Sequence, residues 1–309
     1  MVRVLTRPPT PRDEFKPITG IIELEIKVAE DSYLFIGSGK KALSFDEKEL
    51  ERLKAVSNLD MIRSFALRLS YDFETFQKIG DNFSIVGSSV KGAVRTRLEF
   101  LFKSVNGEVP ACFRVYHMER IPPRFLSIWG KVVEETRPPC NYQKEGKVCE
   151  ICDIFGAPGL QSLVMFTNFI SEGNEKKFER VTLITGEKII GAKPGTTFNG
   201  RIIFRNLKDY QLGLVFLAMR IQERKPILMG KFKYRPVKDA NGRILKFGRV
   251  YFSIMNIQLH IADETTKQLA EDTEEFVKTM VDKAKMKFEK YLRVEFDEVK
   301  RVNEIASET

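Results

Sequence analysis

The stretch Ser84-Ile85-Val86-Gly87-Ser88-Ser89-Val90-Lys91-Gly92-Ala93-Val94-Arg95-Thr96-Arg97-Leu98-Glu99-Phe100 decides how this chain is read. A short β-rich run ends at Gly87, Ser88 and Ser89 offer hydroxyls for a helix N-cap, and an amphipathic pattern starts at once. Val90, Ala93, Val94, Leu98 and Leu101 recur at helical spacing on one face, whereas Lys91 and Arg95 lie four residues apart on another. The pattern predicts strand, tight turn, helix. Because the first turn of a helix exposes unpaired N–H groups and a partial positive charge, Ser88, Ser89, Lys91 and Arg95 are expected to form an anion cradle, with phosphate as the anion. A plain helix with solvated cations is the competing reading. The G-x-x-x-x-G-K-[ST] spacing of a nucleotide-hydrolysing loop is absent, which speaks against that chemistry.

The chain around this stretch has 309 residues, 43% of them hydrophobic, enough for one large domain or two small ones. No run approaches the roughly 20 apolar residues that span a bilayer, and the opening Met1-Val2-Arg3-Val4-Leu5-Thr6-Arg7-Pro8-Pro9 lacks an apolar signal core, so no membrane association and a cytoplasmic location are expected. The net charge of +9 suits a polyanionic partner. It is concentrated: Arg201 to Val250 holds 13 Lys and Arg against 3 Asp and Glu, whereas Thr265 to Thr309 holds 9 against 11.

Residues 1–15 are proline- and charge-rich and read as a flexible arm. Ile22, Leu24, Ile26 and Val28 alternate with Glu23, Glu25 and Lys27, the mark of a half-buried strand, which Tyr33-Leu34-Phe35-Ile36 continues or pairs with before Gly37-Ser38-Gly39 closes the unit. Residues 40–80 read as a helical insert. Asp209 to Arg224 reads as a second amphipathic helix, and residues 263–309 as one or two charged helices. Within the basic stretch, Gly230 and Gly248 would let backbone approach a ligand, Phe232, Tyr234 and Phe247 could stack on bases, and Lys231, Lys233, Arg235, Lys246 and Arg249 could meet phosphates.

Between residues 105 and 156 periodicity is lost and the cysteines gather. Cys140, Cys149 and Cys152 form C-x8-C-x2-C, a spacing suited to one tetrahedral zinc ion, with His117 or Cys112 as fourth ligand. The alternatives are a disulfide or unliganded thiols.

Three elements in fixed order then carry a resemblance: G-S-S-x-K-G-x-x-R-x-x-L from Gly87, C-x-x-C-x-I-F-G from Cys149, and the terminal Lys246-Phe247-Gly248-Arg249-Val250 strand. Together they resemble the RAMP superfamily, the repeat-associated RNA-binding subunits of type III CRISPR effector complexes of the Csm and Cmr type. The resemblance implies an α+β fold: a ferredoxin-like (RRM-like) domain over residues 16–262 with a helical insert, a zinc-binding insert at 105–156, a thumb hairpin at 178–198, and C-terminal helices. It implies that the chain binds CRISPR RNA and target RNA and packs against other Csm/Cmr-type subunits in antiviral defence. In related subunits such a hairpin pushes between bases, and Ile189 and Ile190 could form that wedge, a plain surface hairpin being the alternative. In backbone subunits of the family an aspartate that cleaves target RNA follows an I-G-x-G element. Here Ile36-Gly37-Ser38-Gly39 is followed by Lys40, Lys41, Ala42 and Leu43, and Asp46 is the first aspartate, the candidate for that role, which would take the ribose proton or help hold a divalent ion. The resemblance therefore points to an RNA-gripping subunit. The alternatives are an endoribonuclease working through Asp46, or through His117 or His260 on precursor RNA, and a non-catalytic end-capping subunit that binds mainly protein.

Overall fold

In the strand Ile18–Val28 every second side chain is buried, so Ile18, Ile22, Leu24, Ile26 and Val28 face the core while Glu23, Glu25 and Lys27 keep partial access to solvent. A computed structural model describes residues 2–14, 18–43, 63, 71–113, 121–171 and 175–307. Ile18–Val28 runs antiparallel between Thr197–Leu207 and Arg249–Ile261, with Ile22 opposite both Ile202 and Ile257. The sheet then widens in the order Ile227–Leu228, Arg249–Ile261, Ile18–Val28, Thr197–Leu207, Phe169–Ser171, Asn82–Ile85 and Lys78–Ile79, and Val164–Phe166 also pairs with Thr197–Leu207. Every pairing in it is antiparallel.

Two helices supply apolar surface to the core this sheet forms. Gly87–Leu101 buries Val90, Val94, Leu98 and Leu101. Asp209–Met219 is buried from Gln211 to Met219, because a third helix, Thr273–Phe288, packs along it with Phe276, Met280, Ala284 and Phe288. Gly213 permits that approach, since a Cβ there would lie 1.9 Å from the Met280 carbonyl oxygen. The fold is thus mixed α+β, an antiparallel sheet with several helices. Asp209–Met219 ends earlier than the sequence suggests, where Arg220 turns left-handed at φ 56°. The C-terminal stretch holds three helices among the described residues, Glu264–Glu271, Thr273–Phe288 and Glu298–Ser307, rather than one or two.

The segment after Val28 also departs from expectation. Tyr33 and Leu34 do not pair with Ile18–Val28; they bridge Phe247 and Ala192. Gly37 opens a strand, Gly37–Leu43, in a second sheet ordered Phe178–Thr182, Lys188–Ala192, Tyr71–Phe76, Gly37–Leu43. The ends of the expected helical insert are therefore strands that pair with each other, and residues 44–62 and 64–70 lie outside the described residues. The hairpin Phe178–Thr182/Lys188–Ala192 belongs to this sheet. Its Ile189 is fully buried and cannot serve as a wedge, while Ile190 is half-buried.

The N-terminal residues are pinned rather than free. Arg3–Val4 pairs in parallel with Glu108–Val109, and Arg7 exchanges backbone hydrogen bonds with Val148. The reason is a buried carboxylate: Asp153, with no solvent exposure, accepts from Arg7, Arg12, Gln211, and both the N–H and the hydroxyl of Thr10. Arg7 and Gln211 also donate to Glu150. Burial alone would favour the neutral acid, yet Arg12, Arg7 and Thr10 hold the Asp153 carboxyl below the usual aspartate range.

Candidate functional site

The helix Gly87–Leu101 begins where its sequence predicts, but not with the predicted cap. Val86 is the N-cap residue and makes no side-chain cap bond, so Ser88 and Ser89 fall in the first turn, Ser88 exposed and Ser89 half-buried. The cap comes from elsewhere: Asn168 Oδ1 accepts the Gly87 N–H at 3.0 Å. Gly87 is sterically required there, because a Cβ would lie 2.0 Å from the Phe166 carbonyl oxygen and 2.6 Å from that of Thr167.

Lys91 and Arg95 part company on this helix. Lys91 is half-exposed and borders a groove of about 760 Å³, together with Ser88, Gly92, Asn141 and Ala157. Arg95 is buried: its Nε donates to Glu99 at 2.7 Å, Nη1 to the Gly156 carbonyl at 2.9 Å and Nη2 to Cys152 Sγ at 3.2 Å. Its guanidinium is thus engaged inside the fold. Arg97, on another face of the helix, is equally internal, donating to Glu298 at 2.6 Å and to the Leu217 carbonyl.

Two of the four cysteines, Cys140 and Cys152, also line the groove. Cys112, Cys140, Cys149 and Cys152 are all buried and unbridged, and their sulfurs lie within 4.8 Å of one another. A tetrahedral ion with metal–sulfur bonds of about 2.3 Å needs sulfurs about 3.8 Å apart, and Cys112 and Cys152 are 3.4 Å apart. The residues fit a structural metal site of four soft thiolate ligands. Two backbone N–H groups point at sulfurs, that of Cys112 at Cys149 and that of Cys149 at Cys140, which favours the thiolate form. Burial opposes ionisation of Cys149, but S–H donation from Cys112, Cys140 and Cys152 holds its pKa well below the ordinary thiol value. Of the two candidates for fourth ligand, Cys112 stands in this cluster, and His117 lies outside the described residues.

The basic stretch 201–250 is less cationic in space than in sequence. Arg201 pairs with Glu23, Arg220 with Glu223 and Asp297, Arg243 with Asp239, Lys246 with Asp31 at 2.8 Å, and Lys231 with Glu74 at 3.0 Å and Glu187 at 2.5 Å. Arg249 is buried against Asn303. Lys233 is half-buried with its amine 5.0 Å from the Tyr234 ring, and burial pulls its pKa down to about 8. Arg235 remains exposed beside Phe232. The glycines serve the fold rather than a ligand: a Cβ on Gly230 would lie 2.6 Å from the Phe35 carbonyl and one on Gly248 2.2 Å from that of Met229. Phe247 is fully buried and packs on Tyr33 and Phe232.

The two cationic segments are not adjacent. Between Arg249–Ile261 and the Val164–Phe166 strand beneath Gly87 lie Ile18–Val28 and Thr197–Leu207, three strand spacings of about 4.8 Å. Asp46, the candidate catalytic residue, lies outside the described residues. His260 is exposed on Arg249–Ile261, away from the groove lining.

A family model described as RAMP superfamily matches residues 30–294. The chain belongs to the RAMP superfamily. No curated protein matches it. In this RAMP protein the helix that starts with Gly87-Ser88-Ser89 and the cysteine-bearing segment line one groove. No helix among the described residues is long and apolar enough to cross a membrane. Sequence reasoning does not single out Asn168 as a cap, since it lies 81 residues from its partner. Nothing local to Asn168 distinguishes it from a surface asparagine.

Proposed function

We propose that this RAMP protein is a CRISPR RNA-binding subunit of a type III, Csm/Cmr-like effector in antiviral defence, working in the cytoplasm with other subunits of that type. The groove between the first turn of Gly87–Leu101 and the cysteine insert carries the reading. Ser88 and Lys91 bring a hydroxyl and an ammonium group to the groove from the start of this helix, whose dipole favours an anion there, and the half-exposed Lys91 supplies the charge. Contacts of this kind address the RNA backbone, so guide sequence would be left to base pairing and many spacers would bind alike. Arg235 and Lys246, at the far side of the sheet, are proposed as further backbone contacts, with Lys246 exchanging Asp31 for phosphate.

A ferredoxin-like core is part of the proposal. The order Arg249–Ile261, Ile18–Val28, Thr197–Leu207, Val164–Phe166, with helices after the first and third strands in the chain, supports it. Zinc is the proposed metal, because four buried cysteine sulfurs within 4.8 Å of one another suit a four-coordinate thiolate site, and its role there is to fix the segment that lines the groove opposite the helix. The test is photo-cross-linking of a thiouridine-labelled guide RNA to the assembled complex, with the adducts mapped to peptides. Adducts at Ser88 to Gly92 and at Asn141 or Ala157 support the reading; adducts confined to other surfaces reject it.

A further inference from the structure

The groove and the cysteine cluster share one side chain. Arg95 donates to Cys152 Sγ and to the Gly156 carbonyl, and Cys140, Cys152, Gly156 and Arg95 all line the groove. Glu99 holds the other edge of the guanidinium at 2.7 Å, so its orientation is fixed from both sides. Four thiolates around one divalent ion carry a net charge of about −2, and a guanidinium donating to one of these sulfurs offsets part of it. Groups that hydrogen-bond to metal ligands orient them and tune how strongly they bind.

We propose that Arg95 couples the metal cluster to the groove: it holds the Cys152 thiolate of the loaded cluster, and metal loss releases both partners and loosens the wall against which RNA lies. The first half concerns only Arg95 and the cluster. The second half rests on the reading of the groove as an RNA site. Arg95 is then a positioning residue, acting on RNA through the cluster and not by touching phosphate.

The experiment uses the full chain loaded with zinc or cobalt. Arg95→Gln should weaken metal affinity about 10- to 100-fold in competition with a chromophoric chelator, and should shift the thiolate-to-cobalt charge-transfer band. Arg95→Lys, which restores charge and one donor, should recover part of both. Unchanged affinity and an unchanged band in Arg95→Gln would overturn the first half. Stripping zinc from the wild type should weaken binding of a single-stranded oligouridylate about tenfold, reversibly on re-addition. A stripped, folded protein with full RNA affinity would overturn the coupling. Should stripping unfold the chain, the loaded Arg95→Lys variant decides: weakened RNA binding supports the coupling and wild-type binding overturns it. Failure of Lys91→Ala to affect RNA would count against the groove reading alone and leave the metal readouts standing.

Discussion

The backbone N–H of Gly87 donates to the side-chain oxygen of Asn168 at 3.0 Å, which ties the start of the signature helix to the loop between two short strands of the central sheet. Asn168→Ala should cost about 0.5–1.5 kcal/mol, the net worth of one such bond. Gly87→Ala should cost more, about 3 kcal/mol, because the new Cβ meets the Phe166 carbonyl oxygen at 2.0 Å and backbone must shift. Denaturant melts of both variants check the order; equal stabilities would contradict it.

Asp153 should be the carboxylate whose loss is felt most. Arg12 would lose its carboxylate partner and Arg7 would keep only Glu150, and Asp153→Ala is expected to cost about 3–5 kcal/mol. The folded pKa lies below the unfolded one, so the unfolded chain binds the proton first as pH falls. Its stabilisation is therefore complete above about pH 4 and lost as pH drops through the folded value. Acid melts should show a flatter pH dependence below pH 4 in Asp153→Asn than in the wild type.

Cys112, rather than His117, is expected to complete the metal site. Elemental analysis should give one zinc per chain, lost in Cys112→Ser and in Cys149→Ser and retained in His117→Ala. Retention in Cys112→Ser with loss in His117→Ala would reverse the assignment.

Local periodicity is enough to place the strand at Ile18–Val28, the helix at Gly87–Leu101 and the buried side of Thr273–Phe288, since each is set by neighbours within one turn or one pleat. What the sequence hides is set by distant partners. Arg95 reads as a surface cation at i+4 from Lys91, and only the arrival of Cys152 and Gly156, some sixty residues on, turns it inward. The excess of lysine and arginine after residue 200 is visible, but Glu23, Asp31, Glu74 and Glu187, which neutralise part of it, come from earlier elements or from the hairpin. The N-terminal arm reads as free because the acids that hold it, Glu150 and Asp153, sit about 140 residues away. Glycines at 230 and 248 signal close approach correctly in kind, but the approaching group is the chain's own carbonyl.

The alternative reading of the sequence, in which Asp46 cuts target RNA, has its own check. In an assembled complex, Asp46→Ala should abolish cleavage of a labelled complementary RNA if this carboxylate is catalytic, and leave it unchanged if the subunit only binds.

The salt dependence of RNA binding by Lys91→Ala is the most direct measurement of whether the groove grips an RNA backbone. Removing one lysine–phosphate pair from a complex with single-stranded RNA should reduce the slope of log affinity against log salt by about 0.7, with affinity lowered alike for unrelated sequences. A slope and an affinity identical to those of the wild type would contradict the account.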